Sequence, residues 1–479
     1  MNATGLGLAR AAGARRFALP AHDYVLALPA GERRRLAGAW LGLAMAALVA
    51  SGVFSVLLVA ARTPGVQAWL PGTDFFHVAL VVHVDLSVLV WFASMGALLW
   101  TVAGRERRVA LGWAGWTLAA LGAAVMVAAP FVAREAPVMS NYVPVLDGPV
   151  FLYGLLLFGA GLGATTLRAM AAPGRVGVRL PGEGALHFGL NAAAVAAAMA
   201  LAAFAWSWWA LRDAGVAGKP YYELLFWGPG HVAQFAWTLL MLVAWLWLAT
   251  LSRAALPLSP RIVVMLFGVA LASVFVTPLV YLAWPVASVE HQKLFTWQMR
   301  FGGGLAILPV VLALVLALWR ARAEALPAAA RPLRTALLAS MLLFCVGGLI
   351  GFLIRGSDVR IPAHYHGSIV GVTLALMGAA YALLPALGLR APASRLAAWQ
   401  PLVYGGGQLL HIAGLVWSGG YGVQRKVAGA SQVLRSPQEV AGMALMGLGG
   451  AIAIVGGLLF IVVVVQALRR RPPDGDDPA

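Results

Sequence analysis

Cysteine is almost absent from this chain: its 479 residues contain one, Cys345. No intrachain disulfide can form, and there is no paired-cysteine motif for a metal or a covalently attached cofactor. Cys345 falls inside an apolar run and reads as a small packing residue. Charge is scarce as well, at 11% of residues against about 25% in an ordinary soluble protein. That excludes a soluble globular protein. A cleavable signal peptide is also missing, since the first 35 residues are polar and have no apolar core.

What the chain has instead is apolar surface, 61% of its residues being hydrophobic. Runs of about 20 or more such residues are long enough to cross a hydrocarbon layer of ~30 Å. Twelve are expected, near 36–61, 76–103, 109–133, 149–171, 187–212, 222–251, 261–285, 295–319, 335–354, 363–387, 400–418 and 439–467. The expected fold is all-α and polytopic. One twelve-helix membrane domain covers 36–467, with a cytoplasmic N-terminal segment over 1–35 and a cytoplasmic tail over 468–479.

The net charge of +17 invites a nucleic-acid reading. The placement of that charge argues otherwise. Roughly two thirds of the 34 Lys and Arg lie on the N-terminal side of the membrane, alternating loop by loop. That is the positive-inside pattern of an even number of spans with both ends cytoplasmic. The basicity is a topology signal, and the expected partner is membrane lipid with no nucleic acid.

Polar residues inside a bilayer are costly and usually carry function. Nine histidines are present. His83 lies about 10 Å into span 2 from the outer end, and His231 about 13 Å into span 6, at 1.5 Å per residue. His291 follows span 7, and His364 and His366 open span 10, all from that same side. Imidazoles from separate stretches thus converge on one depth. Asp85, Glu223, Gln234, Glu290, Arg300, Arg355 and the Arg425-Lys426 pair lie around them. The inner halves of spans 2, 6 and 8 offer only Ser94, Thr101, Thr238 and Thr250. Helical residues two apart diverge by about 200°, so His364 and His366 address opposite sides of their helix.

The His364-Tyr365-His366 pair, the span-2 histidine and Trp227-Gly228-Pro229-Gly230-His231 resemble the catalytic subunit of the haem–copper oxidase superfamily. The resemblance extends to His411-Ile412-Ala413-Gly414-Leu415 ahead of Arg425-Lys426. It implies that His83 and His366 are the axial ligands of a low-spin haem, which then passes electrons and binds no gas. His77 is the rival on span 2, nearer its end. It implies that His364 is the proximal ligand of a high-spin haem, that His231 and His291 hold a distal metal, and that Arg425 and Lys426 pair with haem propionates. Arg300 and Arg355 are possible helpers there. His187 and His411 are expected to be structural.

The chain departs from the family pattern twice. Glu290-His291 stands where the family has two histidines, and a hard carboxylate oxygen favours iron over copper. Phe235 and Gln234 stand where a span-6 tyrosine or glutamate is usual. Tyr281 lies nine residues before Glu290, outside the family's spacing, and is expected in an interfacial aromatic belt.

The leading expectation is therefore a respiratory oxidoreductase, similar to nitric oxide reductases, acting through His231, Glu290, His291, Gln234 and Glu223. Its expected cofactors are a low-spin haem, a high-spin haem and a distal non-haem iron or copper. The alternative is oxygen reduction to water as a cytochrome c or quinol oxidase subunit I, and a remote one is a haem-free proton-coupled transporter. Electrons are expected from a separate cytochrome c or cupredoxin-like subunit or from quinol. Protons are expected mainly from the outer side, in a bacterial-type inner membrane.

Overall fold

The computed structural model describes residues 21–27, 29–66, 74–427 and 432–469. Most of the expected N-terminal segment, and the tail from 470 on, lie outside the described residues. Twelve long helices run through them: α1 Gly31–Arg62, α2 Phe75–Ala103, α3 Val109–Val132, α4 Pro149–Ala171, α5 Gly182–Leu211, α6 Gly218–Leu251, α7 Pro260–Ala283, α8 Val289–Ala323, α9 Ala330–Gly351, α10 Arg360–Ala386, α11 Arg395–Gly420 and α12 Pro437–Leu468. By length and composition, 11 of these are fit to cross a membrane. The exception is α11, whose apolar run is diluted by Gln400, Gln408 and His411.

The helices begin earlier than the apolar runs because polar first turns are stabilised locally. In α1, Arg35 pairs with Glu32 at 2.9 Å and Arg33 with Glu106 at 2.6 Å. In α8, the Ser288 hydroxyl caps the helix by accepting from the His291 N–H at 3.2 Å. This draws Glu290 and His291 into the helix, where an apolar pattern alone places them in a loop. Residues 21–27 are also more than a polar leader. Tyr24 is wholly buried, its hydroxyl donating to the Leu258 carbonyl at 2.6 Å across the α6–α7 turn.

Three helices form the centre. Of their most apolar windows, α2 has 61% buried, α6 78% and α10 83%, whereas α1, α7 and α8 each have 28%. These central helices are the ones that carry His83, His231, His364 and His366. Their inner halves are solid core: every residue is buried over Trp91–Ala103, Leu239–Ala249 and Val370–Tyr381. Trp245 donates to Ser340 at 2.7 Å, and Ser340 to the Gly371 carbonyl at 2.6 Å, which ties α6, α9 and α10 together there.

Two of the histidine-bearing helices change their winding. In α2 a π-helical segment, Asp85–Val90, follows His83 directly. In α8 a second one, Gln298–Gly302, follows His291 by two turns. At the end of the bundle that carries the central histidines, α3 and α4 are joined by a loop holding a two-stranded antiparallel hairpin, β1 Ala136–Val138 with β2 Val145–Asp147.

Candidate haem and distal-metal site

His83 is fixed by α1. Its Nδ1 lies 3.0 Å from the Ser51 carbonyl and 3.0 Å from the Ser51 hydroxyl. An imidazole that donates from Nδ1 keeps the Nε2 lone pair for a metal. His364 is treated the same way by α9: its Nδ1 lies 2.7 Å from the Gly347 carbonyl. Both rings are half-buried on central helices, with the second nitrogen uncommitted. Gly347 and Gly367 bring α9 and α10 into backbone contact, and a methyl group at Gly351 would lie 2.9 Å from His364 Nδ1.

His366 points away from His364, as the two-residue spacing dictates. Its ring lies 4.9 Å from that of His411, whose Nδ1 is 3.0 Å from the Met446 carbonyl. His411, expected to be structural, thus seats the side of the His366 ring. Arg62 at the end of α1 is a cation sequence reasoning did not single out; it reaches Gln432 at 3.2 Å and the Gln424 carbonyl at 3.4 Å.

His231 and His291 meet across Phe295, with ring centroids 6.4 and 4.8 Å from it. His231 Nδ1 lies 2.7 Å from the Trp227 carbonyl one turn back, again freeing Nε2. His291 is completely buried, and neither of its ring nitrogens has a hydrogen-bond partner. A polar ring buried without partners costs free energy unless something else binds it. These donors fit the groups the family carries: three imidazoles oriented through Nδ1, and one with both nitrogens unspoken for.

Glu290 does not join them. It is exposed, turned about 100° from His291 on the helix. Among the described residues, no three His, Cys, Asp or Glu side chains come together around one point. Gln234, three residues beyond His231, does stand on its face, with its Nε2 donating to the Tyr142 hydroxyl at 3.3 Å. Tyr142 comes from the α3–α4 loop and packs against His231 at 4.8 Å. Its one sequence signal is Gly230, where any side chain would collide with the Tyr142 ring.

Tyr281 also corrects the expectation. It is 7% exposed, not interfacial, and its ring lies edge-on to His291 at 4.9 Å. Its hydroxyl is 2.7 Å from Ser207 and donates to the Ala203 carbonyl at 3.1 Å. The chain turns back between α7 and α8, so linear spacing misjudges the distance.

The Arg425-Lys426 pair is pinned to the same loop. Lys426 donates to the Met139 carbonyl at 2.7 Å, and Arg425 to Asn141 at 3.3 Å; Asn141 in turn donates to Glu223 at 2.8 Å. Lys426 holds a left-handed backbone, φ 61°, uncommon for a side-chain-bearing residue. His77 lies 3.2 Å from the Lys426 carbonyl and takes no part among the inward rings. Asp358 ties the start of α10 to this segment: Val359 donates to the Val423 carbonyl at 3.0 Å. Burial opposes ionisation of Asp358, but the bonds from Arg360 hold its carboxyl below the usual carboxylate range. Arg300 and Arg355 are exposed, Arg300 lying over Phe301 and Phe352 at 5.8 and 5.5 Å. His187, bonded to the Arg175 carbonyl at 2.8 Å, sits away from the site at the start of α5.

Burial, and then the neighbouring Arg425, push the Lys426 amine down to about 8. It is charged below that pH and loses its charge as pH rises through it, whereas an unfolded lysine stays charged to about 10.4. A carboxylate placed beside it moves the transition upward. Were a haem propionate to sit beside Lys426, as the resemblance implies, the haem potential would fall as pH rises through that transition, by on the order of tens of millivolts. Lys426→Met should lower the potential below about pH 8, where the lysine is charged, leave it unchanged well above that pH, and abolish the pH dependence in redox titrations.

Imidazoles oriented through Nδ1 thus stand on the buried central helices of a twelve-helix bundle. Residues 35–459 match the model of the cytochrome c and quinol oxidase polypeptide I family. The chain belongs to that family. It is similar to an uncharacterized protein of Rickettsia prowazekii, 28% identical, covering 89% of this chain and 94% of the relative. It is also similar to an uncharacterized protein of Aquifex aeolicus, 28% identical over 73% of this chain and 84% of the other. A haem–copper terminal oxidase dimer solved by cryo-electron microscopy has the same fold, with TM-score 0.69 and 15% identity, over 94% of this chain and 86% of that one. The protein is accordingly a multi-pass membrane enzyme, a respiratory terminal oxidoreductase of a family that carries haems and a copper or iron centre and takes electrons from cytochrome c or quinol. The haem-free transporter reading is set aside.

Proposed function

We propose that this enzyme reduces nitric oxide: two NO, two electrons and two protons give one nitrous oxide and one water. His83 and His366 would hold the low-spin haem, His364 the high-spin haem, and His231 and His291 the distal metal, with the Gln234 amide beside them. When bound, these groups supply the electrons and the sites at which two substrate molecules are held together, removing the entropic cost of their encounter. Arg425 and Lys426 would neutralise the propionates. Glu223, half-buried near the start of α6 and bonded by Asn141, would pass protons inward from the outer side. The proposed setting is a bacterial-type inner membrane with both termini cytoplasmic, and the donor a separate electron-carrying subunit or quinol.

One observation carries this reading. Beyond His231, α6 itself offers an amide and Phe235 and carries no phenol, carboxylate or other ionisable group, the phenols of Tyr142 and Tyr281 arriving from the α3–α4 loop and from α7. Breaking an O–O bond calls for a redox phenol and ample proton supply, whereas joining two NO calls for neither. The position of Tyr281, edge-on to His291, favours a second reading, oxygen reduction with copper as distal metal. Anaerobic turnover of the purified complex with NO, set against its oxygen consumption and metal content, separates them. Faster NO reduction with iron beyond the haem complement is expected. Stoichiometric copper with rapid oxygen consumption reverses the order.

A further inference from the structure

The α3–α4 loop crosses the outer mouth of the bundle and delivers one side chain into it, Tyr142. Several attachments hold that loop. Asn141 donates to Glu223 at 2.8 Å, Lys426 donates to the Met139 carbonyl at 2.7 Å, Tyr222 donates to Asp147 at 2.6 Å, and the Glu135 carboxylate accepts from the N–H groups of Val150 and Phe151 at 2.7 and 3.0 Å. Residues 141 and 147 are thus fastened to adjacent residues of α6, Glu223 and Tyr222, so Tyr142 is carried by a loop registered to that helix.

The ring of Tyr142 packs at 4.8 Å from His231 and at 6.0 Å, edge-on, from Trp227. Its hydroxyl accepts from Gln234 at 3.3 Å. That bond uses one amide N–H, and among the described residues the Gln234 Oε1 takes no hydrogen bond of its own. Gly230 keeps the space clear for the ring. With Nδ1 of His231 on the Trp227 carbonyl, both polar side chains on this face of α6 have one end tied and one end free.

We propose that Tyr142 is a positioning residue of the distal-metal site: it holds the Gln234 amide in one orientation, so that Oε1 and the phenolic O–H face a ligand bound beside His231 and His291. This rests on the proposed reading of those two histidines as the distal pair. The phenol acts by orientation and hydrogen bonding, with no change in its own protonation required.

The probe is carbon monoxide bound to the reduced, purified complex, read by its C–O stretching frequency, which responds to polar groups facing the bound gas. Tyr142→Phe keeps the ring and removes the bond to Gln234. It should shift the band in the same direction as Gln234→Leu, and the double variant should add nothing to the larger single shift. Both should keep the low-spin haem spectrum, which establishes that the bundle is assembled. Should Tyr142→Phe fail to assemble, Asn141→Ala, which unfastens the loop and leaves the phenol in place, is expected to broaden or split the band. An unmoved band in Tyr142→Phe, or shifts in the two single variants that simply add, overturns the proposal while leaving the haem reading intact. A wild-type protein with no carbon monoxide band at all overturns both.

Discussion

Replacing His366 with Ala should remove the low-spin haem spectrum, whereas replacing His364 with Ala should leave that spectrum and remove the carbon-monoxide-binding haem. The two residues share one helix and are separated by one position, so a general loss of folding would affect both signals together. Their supports differ. His364 is aligned by the Gly347 carbonyl at 2.7 Å, while His366 lies on His411 at 4.9 Å and looks toward the side where α1 and α2 hold His83. Changes to groups that merely orient a metal ligand cost about 10–100-fold in affinity or activity. Loss of the ligand itself should therefore lower turnover by at least ~100-fold in each variant. Visible spectra of the reduced membranes, with and without carbon monoxide, read both outcomes. Equal loss of both signals in both variants would contradict the division of labour.

Gly347→Leu should have nearly as large an effect without touching a ligand. A side chain there would run into the backbone of Gly367 and Ser368 on α10. Overpacking of this kind typically costs ~1–3 kcal/mol when neighbours can shift. Here the neighbours are backbone atoms, so the helices must separate, and the carbonyl that aligns His364 moves with them. Loss of carbon monoxide binding with retention of the low-spin haem is expected. The internal control is the next residue. Gly348 has nothing within 4 Å of the corresponding position, so Gly348→Leu should be silent in both spectra and yield. If the two leucine variants behave alike, the close approach of α9 and α10 is not what orients His364.

The membrane spans were legible because a bilayer imposes a length and a composition that no local context overrides, and the expected twelve is close to the 11 helices fit to cross it. The histidine-x-histidine pair was legible because its spacing alone sends the two rings apart. What fixes those rings was not. The Ser51 and Gly347 carbonyls are backbone groups, invisible to residue type, and their partners are 32 and 17 positions away. Tyr142 arrives on a loop with no periodicity to read. Glu290 and His291 looked equivalent in sequence, but adjacent helical residues cannot both face inward, and the Ser288 cap decides which one does. Tyr281 was misjudged for the opposite reason: distance along the chain was treated as distance in space, across a reversal that folds α7 back onto α8.

The two wide turns, after His83 in α2 and after His291 in α8, carry a consequence of their own. A π segment inserts a residue into the helical ladder and rotates everything on one side of it relative to the other. The upper part of each rod can then aim its imidazole while the lower part keeps its own mating surface, as the uninterrupted burial of Trp91–Ala103 illustrates. Aim and anchorage become separable variables within a single continuous helix. The deep layer stays common property of the architecture, and the shallow one can be retuned for a different gas without renegotiating the foundations.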